Sequence, residues 1–484
     1  MSQTIENIKV PYPTEGVIRS TALNDTIAPE NSVQLAINLN FDRVGAFQTR
    51  PGVNTLYTSR NGSITSFGTL NVQGGVKKLY SQVGTDISVY NTGTSAWDSV
   101  RTCTTTNKAR YSQWLNRIYM VNGVDALQCS SGSTFSAEAG FVPATAMPIG
   151  DFIQAGFDGR IWIASKSSDA IYFSDIVQFT PPSTYTVTYN TANFIQSLSP
   201  QDGESISGLF RVPRALLVFK QNHIYRIYNA SNVDPYPAYN VGTYSQESIV
   251  QAKDGLYFHH SSGFYKFNYD GQPTEISKRI GDVVRAIPRS YYENVTGIYD
   301  GYDAIKWSVG PVTVEGVSYT NMQVRYTIST QVWTIYDFPN NSITAMTPYD
   351  DGTYQYQVMG TSAGRVGQMD YGNTDFNEAI YYDFIDRWRS YTAMYADVKS
   401  FSGINVLSNN GGGAKLQYQS QKAGVDVWDD IDTLDGEYSS LFPNASSDDF
   451  NIARFRINGL TKGAQIVFAG IEILTLQDKG YDKN

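Results

Sequence analysis

The strongest constraint on this chain is a hairpin that keeps returning. Lys78-Leu79-Tyr80 leads through Gly84 to Ile87-Ser88-Val89-Tyr90, and Arg117-Ile118-Tyr119-Met120 leads through Gly123 to Ala126-Leu127-Gln128. The shape recurs in Arg160-Ile161-Trp162-Ile163 with Ala170-Ile171-Tyr172-Phe173, and in Leu216-Leu217-Val218-Phe219 with Ile224-Tyr225-Arg226-Ile227-Tyr228. A further copy is Gly255-Leu256-Tyr257-Phe258 with Phe264-Tyr265-Lys266-Phe267, and two looser ones centre on Trp307 and Val358. Short apolar runs bounded by Gly, Asn, Asp or Ser read as strand, turn, strand. Anchored on Tyr80, Tyr119, Trp162, Val218, Tyr257, Trp307 and Val358, the steps are 39, 43, 56, 39, 50 and 51 residues. One hairpin unit cannot bury both faces of its own sheet, so units repeating every ~40–50 residues stack around an axis until the ring closes. The expected fold is therefore all-β, with a β-propeller of about seven blades over 45–376. The competing architecture is a pair of β-sandwiches with unrelated hairpins.

Composition agrees. Aromatics make up 13% of the 484 residues, with 35 Tyr, 23 Phe and 7 Trp, and there are 41 glycines but only 17% charged residues. Flat side chains suit a pleated surface and glycine supplies turns, whereas a helical bundle would want more Ala, Leu, Glu and Lys. The net charge of −9 argues against a protein that grips DNA, which needs a basic footprint. Cys103 and Cys129, the only cysteines, are too few for a disulfide scaffold. The polar start from Met1 to Ile8 does not read as a signal peptide, and no run of apolar residues is long enough for a membrane span. A soluble protein in a reducing or virion-like setting is expected.

Flanking the repeats, residues 1–44 read as an extended N-terminal arm, broken by Pro11, Pro13 and Pro29 and expected to gain order only against a partner. Ile276, Ile280, Val283, Val284 and Ile287 fall on one helical face, which predicts a short helix over 277–287 stopped by Pro288 and packed on the propeller rim. After about Asn377 the blade motif is lost. Strands are expected at 379–385, 390–398, 414–420, 452–457 and 464–474, with an acidic loop from Trp428 to Glu437, giving a C-terminal β-sandwich over 377–478. The tail, 479–484, is expected to be disordered.

Nothing in the chain points to catalysis, and no enzyme activity, cofactor or metal is expected. A sialidase would show several Ser-x-Asp-x-Gly-x-Thr-Trp boxes, and the nearest fragment is the single Asp351-Gly352-Thr353-Tyr354. Glycoside hydrolysis needs two acids held ~5–10 Å apart across a cleft. The pairs Asp350/Asp351, Asp429/Asp430 and Asp448/Asp449 are neighbours in sequence, which point to opposite faces of a strand or are solvated in a loop. Asp430, Asp432 and Asp435 resemble a calcium loop only in part, because the fifth, sixth and twelfth positions are Leu434, Asp435 and Leu441. His259 and His260, adjacent on one strand, are expected to lie one packed and one exposed, and there is no zinc-type cluster.

The distinctive stretch is the junction before the first repeat, Ala36-Ile37-Asn38-Leu39-Asn40-Phe41-Asp42-Arg43-Val44-Gly45-Ala46-Phe47-Gln48-Thr49-Arg50-Pro51-Gly52-Val53. It resembles the segment that opens the propeller in tail hub or nozzle proteins of short-tailed bacteriophages, with an Asn-rich strand, an Arg-x-Gly turn and an Arg-Pro-Gly turn. The motif residues are Asp42, Arg43, Gly45, Arg50, Pro51 and Gly52. Gly45 and Gly52 are expected to allow positive φ in tight turns, with Pro51 presetting the second. The resemblance is strongest over 16–55 and continues more weakly at 206–227, 276–287 and 453–474.

That resemblance implies a non-enzymatic virion protein of the phage tail, assembled in the host cytoplasm. It implies a homo-oligomeric ring, a hexamer by expectation, beneath adaptor and portal-side tail proteins, carrying fibres or a plug. Double-stranded DNA would pass through transiently, retained and then released, and an acidic lumen would let it move without trapping it. The alternative is a host-attachment protein that binds a receptor or glycan through exposed Tyr and Trp.

Overall fold

The computed structural model describes residues 6–9, 13–19, 29–43, 46–137, 149–389, 399–401, 404–409, 413–420, 428–434, 438–441, 452–461 and 467–478, apart from 157, 168, 181–183, 188, 190–192, 196–197, 199–201, 230–231, 236–239, 270 and 315. The chain is all-β in its main body. Six separate four-stranded antiparallel sheets are arranged as a β-propeller, and a further four-strand meander belongs to a larger sheet. The innermost strands of the six are Ile64–Asn71, Arg110–Trp114, Phe152–Ala155, Ile206–Val212, Val250–Ala252 and Ile343–Asp350. The extra meander runs Thr296–Tyr299, Ala304–Val314, Val317–Thr327, Val332–Asp337. Its first strand packs beside Val250–Ala252 on one side and Ile343–Asp350 on the other, and Ile343–Asp350 in turn packs beside Ile64–Asn71.

Each of the seven anchor residues lies buried on the second strand of its four-strand unit. The position is the same because the second strand has a strand hydrogen-bonded on both sides and a neighbouring sheet packed on each face. A strand covered on both faces reads as a continuous apolar run rather than an alternating one. Ala215–Lys220 is buried at every residue for this reason, whereas Ile64–Asn71 alternates buried and half-buried positions. His259 and His260 share the Gly255–His260 strand and are both buried, at 1% and 5% exposure, so the expectation of one exposed ring is corrected. His259 packs against Phe264 and Tyr292, and His260 bonds to Ser262 and Asn222.

The last sheet, formed by Ile343–Asp350, Gln355–Thr361 and Val366–Met369, takes its fourth strand from near the N-terminus. Val53–Tyr57 pairs antiparallel with Val366–Met369, from Met369 opposite Val53 to Val366 opposite Tyr57, with a register shift between Gly367 and Val366. The first and last parts of the repeat region are thereby joined.

The short helix is present as a 3-10 turn at Lys278–Ile280 followed by an α-helix at Gly281–Ala286. Ile280, Val283, Val284 and Ile287 are buried in the largest core, beside Trp307, Val17 and Val33. After Pro288 the chain enters another 3-10 segment, Arg289–Asn294. The helix is also tied to the N-terminal segment, since Arg19 N donates to Arg279 O and Asp282 N donates to Arg19 O at 3.1 Å.

The described parts of the N-terminal segment pair within this chain. Leu35–Ile37 lies between Val332–Asp337, to which it is parallel, and Ile380–Ile385, to which it is antiparallel. It thus fuses the meander at 296–337 with Ile380–Ile385, Ala453–Thr461, Ala414–Ser420 and Asp429–Leu434 into one nine-stranded sheet. Leu39–Arg43 and Ala46–Thr49 form a hairpin in a second sheet of seven strands, with Val467–Asp478, Ile404–Asn409, Tyr438–Leu441, Glu6–Lys9 and Lys399–Phe401. Phe47 of that sheet stacks on Phe384 of the other at 4.6 Å. Val17, Val33, Leu35, Ala36, Leu39 and Phe41 are buried there, and apolar burial holds these residues in place.

The acidic loop expected from Trp428 to Glu437 contains a strand instead. Ile431 and Leu434 are buried in the core while Asp429, Asp430 and Asp432 stay exposed on the edge. Charges on an edge strand discourage unwanted pairing, which explains why a strand looked like a loop. The expected strand at 390–398, the tail at 479–484 and the pair Asp448/Asp449 lie outside the described residues.

Candidate functional site

The site with the most convergent polar chemistry is the junction where the segment before the first repeat crosses the end of the last. Arg50 sits at its centre, 2% exposed. Its Nη1 and Nη2 donate to the two carboxylate oxygens of Asp375 at 2.9 and 2.5 Å. Nε donates to Asn38 Oδ1 at 2.7 Å, and Nη1 also reaches Pro51 O at 3.1 Å. The guanidinium lies 4.1 Å over the Phe338 ring and 5.5 Å from Tyr336. This fork-to-fork geometry is what arginine supplies and lysine does not.

Asn38 completes the arrangement. It adopts positive φ, 57°, a conformation Asn tolerates better than most residues. Its Nδ2 donates to Tyr381 O at 2.7 Å, its N–H to Ile335 O at 2.8 Å, and its Oδ1 also accepts from Asp337 N at 3.0 Å. Tyr336 OH donates to Asn40 Oδ1. Burial pushes the carboxyl of neighbouring Asp337 above its ordinary range. One arginine and one asparagine thus connect the meander, the last sheet and the fused C-terminal strands.

Gly52 is required here, though not for the expected reason. Its φ is not in the left-handed region; the need is space, because a Cβ would lie 2.1 Å from Thr374 O and 2.5 Å from Thr374 N. Gly52 N donates to Gly372 O at 2.9 Å, and Val53 N to Thr374 O at 2.9 Å. Of the other motif residues, Asp42 and Arg43 lie on the Leu39–Arg43 strand, and Gly45 lies outside the described residues. Arg50, Pro51 and Gly52 come together; their main partner Asp375 is 325 residues from Arg50 and carries no local signal.

A second cluster spans the ring. Arg110, opening one innermost strand, donates through Nε to Glu247 Oε1 at 2.9 Å, with Lys108 Nζ 3.9 Å from Oε2. Glu247 sits on the turn Gln246–Ser248, and two whole sheets separate it in sequence from Arg110, so the pair crosses the middle of the ring. Burial acts to raise the Glu247 pKa, but Arg110 and Lys108 outweigh it and bring the carboxyl down to about 2. Lys166 and Glu293, 2.6 Å apart, make a similar but more exposed crossing.

The remaining suspects have structural employment. Asp350 pairs with Lys77 at 2.7 Å, and Asp351 accepts the N–H groups of Thr353 and Tyr354 and the hydroxyl of Tyr356. Asp430 is engaged by Gln417 and Lys415, Asp432 accepts Thr433 N, and Asp435 lies outside the described residues. Cys103 and Cys129 are free and buried, with burial pushing the Cys103 thiol up to about 11. Among the described residues no group of three or more His, Cys, Asp or Glu is arranged to hold a metal ion, and no helix is long and apolar enough to cross a membrane.

Comparison with known proteins adds little to this geometry. No protein-family model matches the chain, and no curated protein matches it. Among solved structures it is similar to a streptogramin B lyase, at 16% identity and a TM-score of 0.41, over 65% of this chain and 95% of that one. It is also similar to the RRP9 WD40 repeats at 6% identity and a TM-score of 0.41, covering 66% of this chain and 98% of that one. The third is YCF48 from Cyanidioschyzon merolae, at 10% identity and a TM-score of 0.40, covering 66% and 98%. Likenesses this distant carry no argument about function.

Proposed function

We propose that this protein is a structural, non-enzymatic virion component, the tail nozzle or hub of a short-tailed phage. In this reading the meander at 296–337 is a seventh blade, and the nine- and seven-stranded sheets face each other as a C-terminal β-sandwich that borrows strands from the N-terminal segment. The reading rests on the resemblance of residues 16–55 to the opening segment of that family. The observation that carries it is the position of this segment: residues 33–53 run through the seam between the repeat region and the C-terminal strands and supply Arg50, its central cation. A segment retained for such a seam is one whose residue pattern a family would keep.

The protein would form a ring, by our reading a hexamer, against adaptor and portal-side proteins, with fibres or a plug attached. The conduit would lie among subunits, because the propeller's own axis is crossed by the Arg110–Glu247 pair. An acidic chain of net charge −9 fits transient passage of DNA rather than its capture. Cryo-electron microscopy of particles that carry the chain tests this directly. An axial ring of about six or twelve copies at the distal tail is expected, and trimers at the particle periphery would overturn the reading.

A further inference from the structure

The C-terminal half of the nine-stranded sheet has two unlike faces. Inward, Tyr382, Phe384, Leu416, Phe455 and Ile457 are buried in the core. Outward, Arg454 and Arg456 project from Ala453–Thr461, Arg454 against two half-buried indoles and Arg456 against one of them. The Arg454 guanidinium lies 4.5 Å from the Trp388 ring and 5.1 Å from the Trp428 ring, and Arg456 lies 5.7 Å from Trp428. Beside them Tyr381 is 40% exposed.

The polar groups on this face are planar and fixed by one another. Asn458 Nδ2 donates to Gln417 Oε1 at 3.1 Å, and Gln417 Nε2 donates to Asp430 Oδ1 at 2.6 Å. Arg456 grips Asp383 through Nε at 2.9 Å and Nη2 at 2.8 Å, and Arg454 Nε donates to Gln419 Oε1 at 2.8 Å. Side chains locked on a sheet lose little freedom on binding.

Indoles with flat amides, carboxylates and guanidinium groups match the chemistry of a pyranose. Its C–H faces pack on rings, and its neighbouring hydroxyls pair two at a time with planar donors and acceptors. Trp, Tyr and Arg also anchor protein interfaces, but a protein-binding face would offer aliphatic side chains among them. Leu460 is the large exposed aliphatic found on these strands. Charge selects the kind of glycan. Arg456 is neutralised by Asp383, Lys415 lies 3.8 Å from Asp430, and Arg454 is held by Gln419, Gln34 and the two indoles. An anionic polymer would meet cations already engaged by carboxylates, amides and rings.

We propose that this outer face is a binding site for a neutral polysaccharide, with Trp388 and Trp428 as the stacking surface and Gln417, Asn458 and Asp430 as the hydroxyl-reading edge. The proposal does not depend on the nozzle reading, since it rests only on the side chains of this face. The test is affinity electrophoresis of the full chain in native gels cast with dextran, mannan or galactan, and separately with alginate. At least one neutral polymer is expected to retard the wild type, with the dissociation constant raised at least tenfold in Trp428→Ala and severalfold in Gln417→Ala at an unchanged melting temperature. Gln417→Ala, which removes no core atom, keeps the test decisive if Trp428→Ala folds poorly. The proposal is overturned if no neutral polymer retards the protein, if alginate alone does, or if Gln417→Ala together with Asn458→Ala binds as the wild type does. Protection of Trp428 from solvent quenchers by a protein partner, without any glycan response, would overturn it in favour of a protein interface.

Discussion

The six separate sheets and the nine-stranded sheet are built from the same kind of strand but assembled in opposite ways. In the Arg110–Ala137 region each strand pairs with the next in sequence, through turns of a few residues. In the nine-stranded sheet Leu35–Ile37 takes one partner from the repeat region and the other from beyond it, and the side-chain oxygen of Asn38 accepts from the N–H of Asp337, 299 residues away. Local pairing closes cheaply and tolerates errors one unit at a time; non-local pairing must order long stretches of chain before any contact rewards it. The difference teaches that the stability of the whole is concentrated where the chain is least local, and several experiments can break that comparison.

The largest effect is expected from deleting residues 1–44. An arm that served only as an inter-subunit strap could be removed without unfolding the chain. With Leu35–Ile37 gone, Val332–Asp337 and Ile380–Ile385 lose a shared neighbour, and Leu39 and Phe41 leave the core. The truncated chain is expected to aggregate, or to melt several degrees lower by circular dichroism, roughly what a loss of several kcal/mol produces in a chain of this size. A truncated protein that melts with the full chain would mean the seam is dispensable.

Next is the buried ion pair at that seam. Arg50→Ala leaves Asp375 charged, buried and without its partner, which costs ~3–5 kcal/mol. Gly52→Ala should be nearly as damaging, because the methyl meets backbone rather than a flexible side chain. Urea unfolding measures both, and a loss below ~1 kcal/mol in Arg50→Ala would show that water reaches the site.

These two regions also differ in how much of them could be read from sequence. Tyr80, Trp162 and Tyr257 were legible because each lies in a short apolar run bracketed by turn residues, a signal contained within about 15 residues. The Arg50-Pro51-Gly52 motif was visible for the same reason, although no turn forms at these residues. Asp375 was not, because an isolated Asp in Asn373-Thr374-Asp375 looks like any surface loop, and only the closed fold brings it to Arg50. The strand at Leu35–Ile37 was hidden by its length of three residues, and Asp429–Leu434 by its charges. Trp388 and Trp428 lie 40 positions apart in sequence, and no local pattern could have shown both against Arg454.

A smaller effect, confined to the ring, should follow acidification. His259 is buried, neither ring nitrogen has a partner among the described residues, and burial, with His260 nearby, brings its pKa down to about 3. The folded state therefore prefers the neutral ring, while the unfolded chain takes up a proton near 6.5. Stability is complete above pH 6.5 and declines as pH falls towards the folded value, by about 2 kcal/mol between pH 6.5 and 5. His260, with its pKa lowered to about 4 by burial against the pull of Glu204, adds a slope of the same sign. His259→Leu is expected to flatten part of this slope in urea midpoints measured at pH 7 and pH 5. An unchanged slope would place the titration elsewhere.

The smallest effect tests the other arginine. Arg110–Glu247 resembles Arg50–Asp375 in holding segments distant in sequence, but its side chains are 18% and 23% exposed against 2% and 9%. Water and salt therefore weaken it, and Glu247→Gln should cost only about 1 kcal/mol, less in 1 M salt. The sign with pH follows from the depressed carboxyl. Its contribution is present above the ordinary value near 4.5 and is lost as pH falls towards about 2, so the variant and the wild type should converge in stability below pH 3. Arg50→Ala, by contrast, should keep its full cost in 1 M salt, because the pair is buried and the guanidinium it removes lies against Phe338 and Tyr336 rather than solvent. Equal salt sensitivity in the two variants would erase the distinction between seam and ring. A large salt-resistant loss in Glu247→Gln would instead make the crossing of the ring axis a second structural centre.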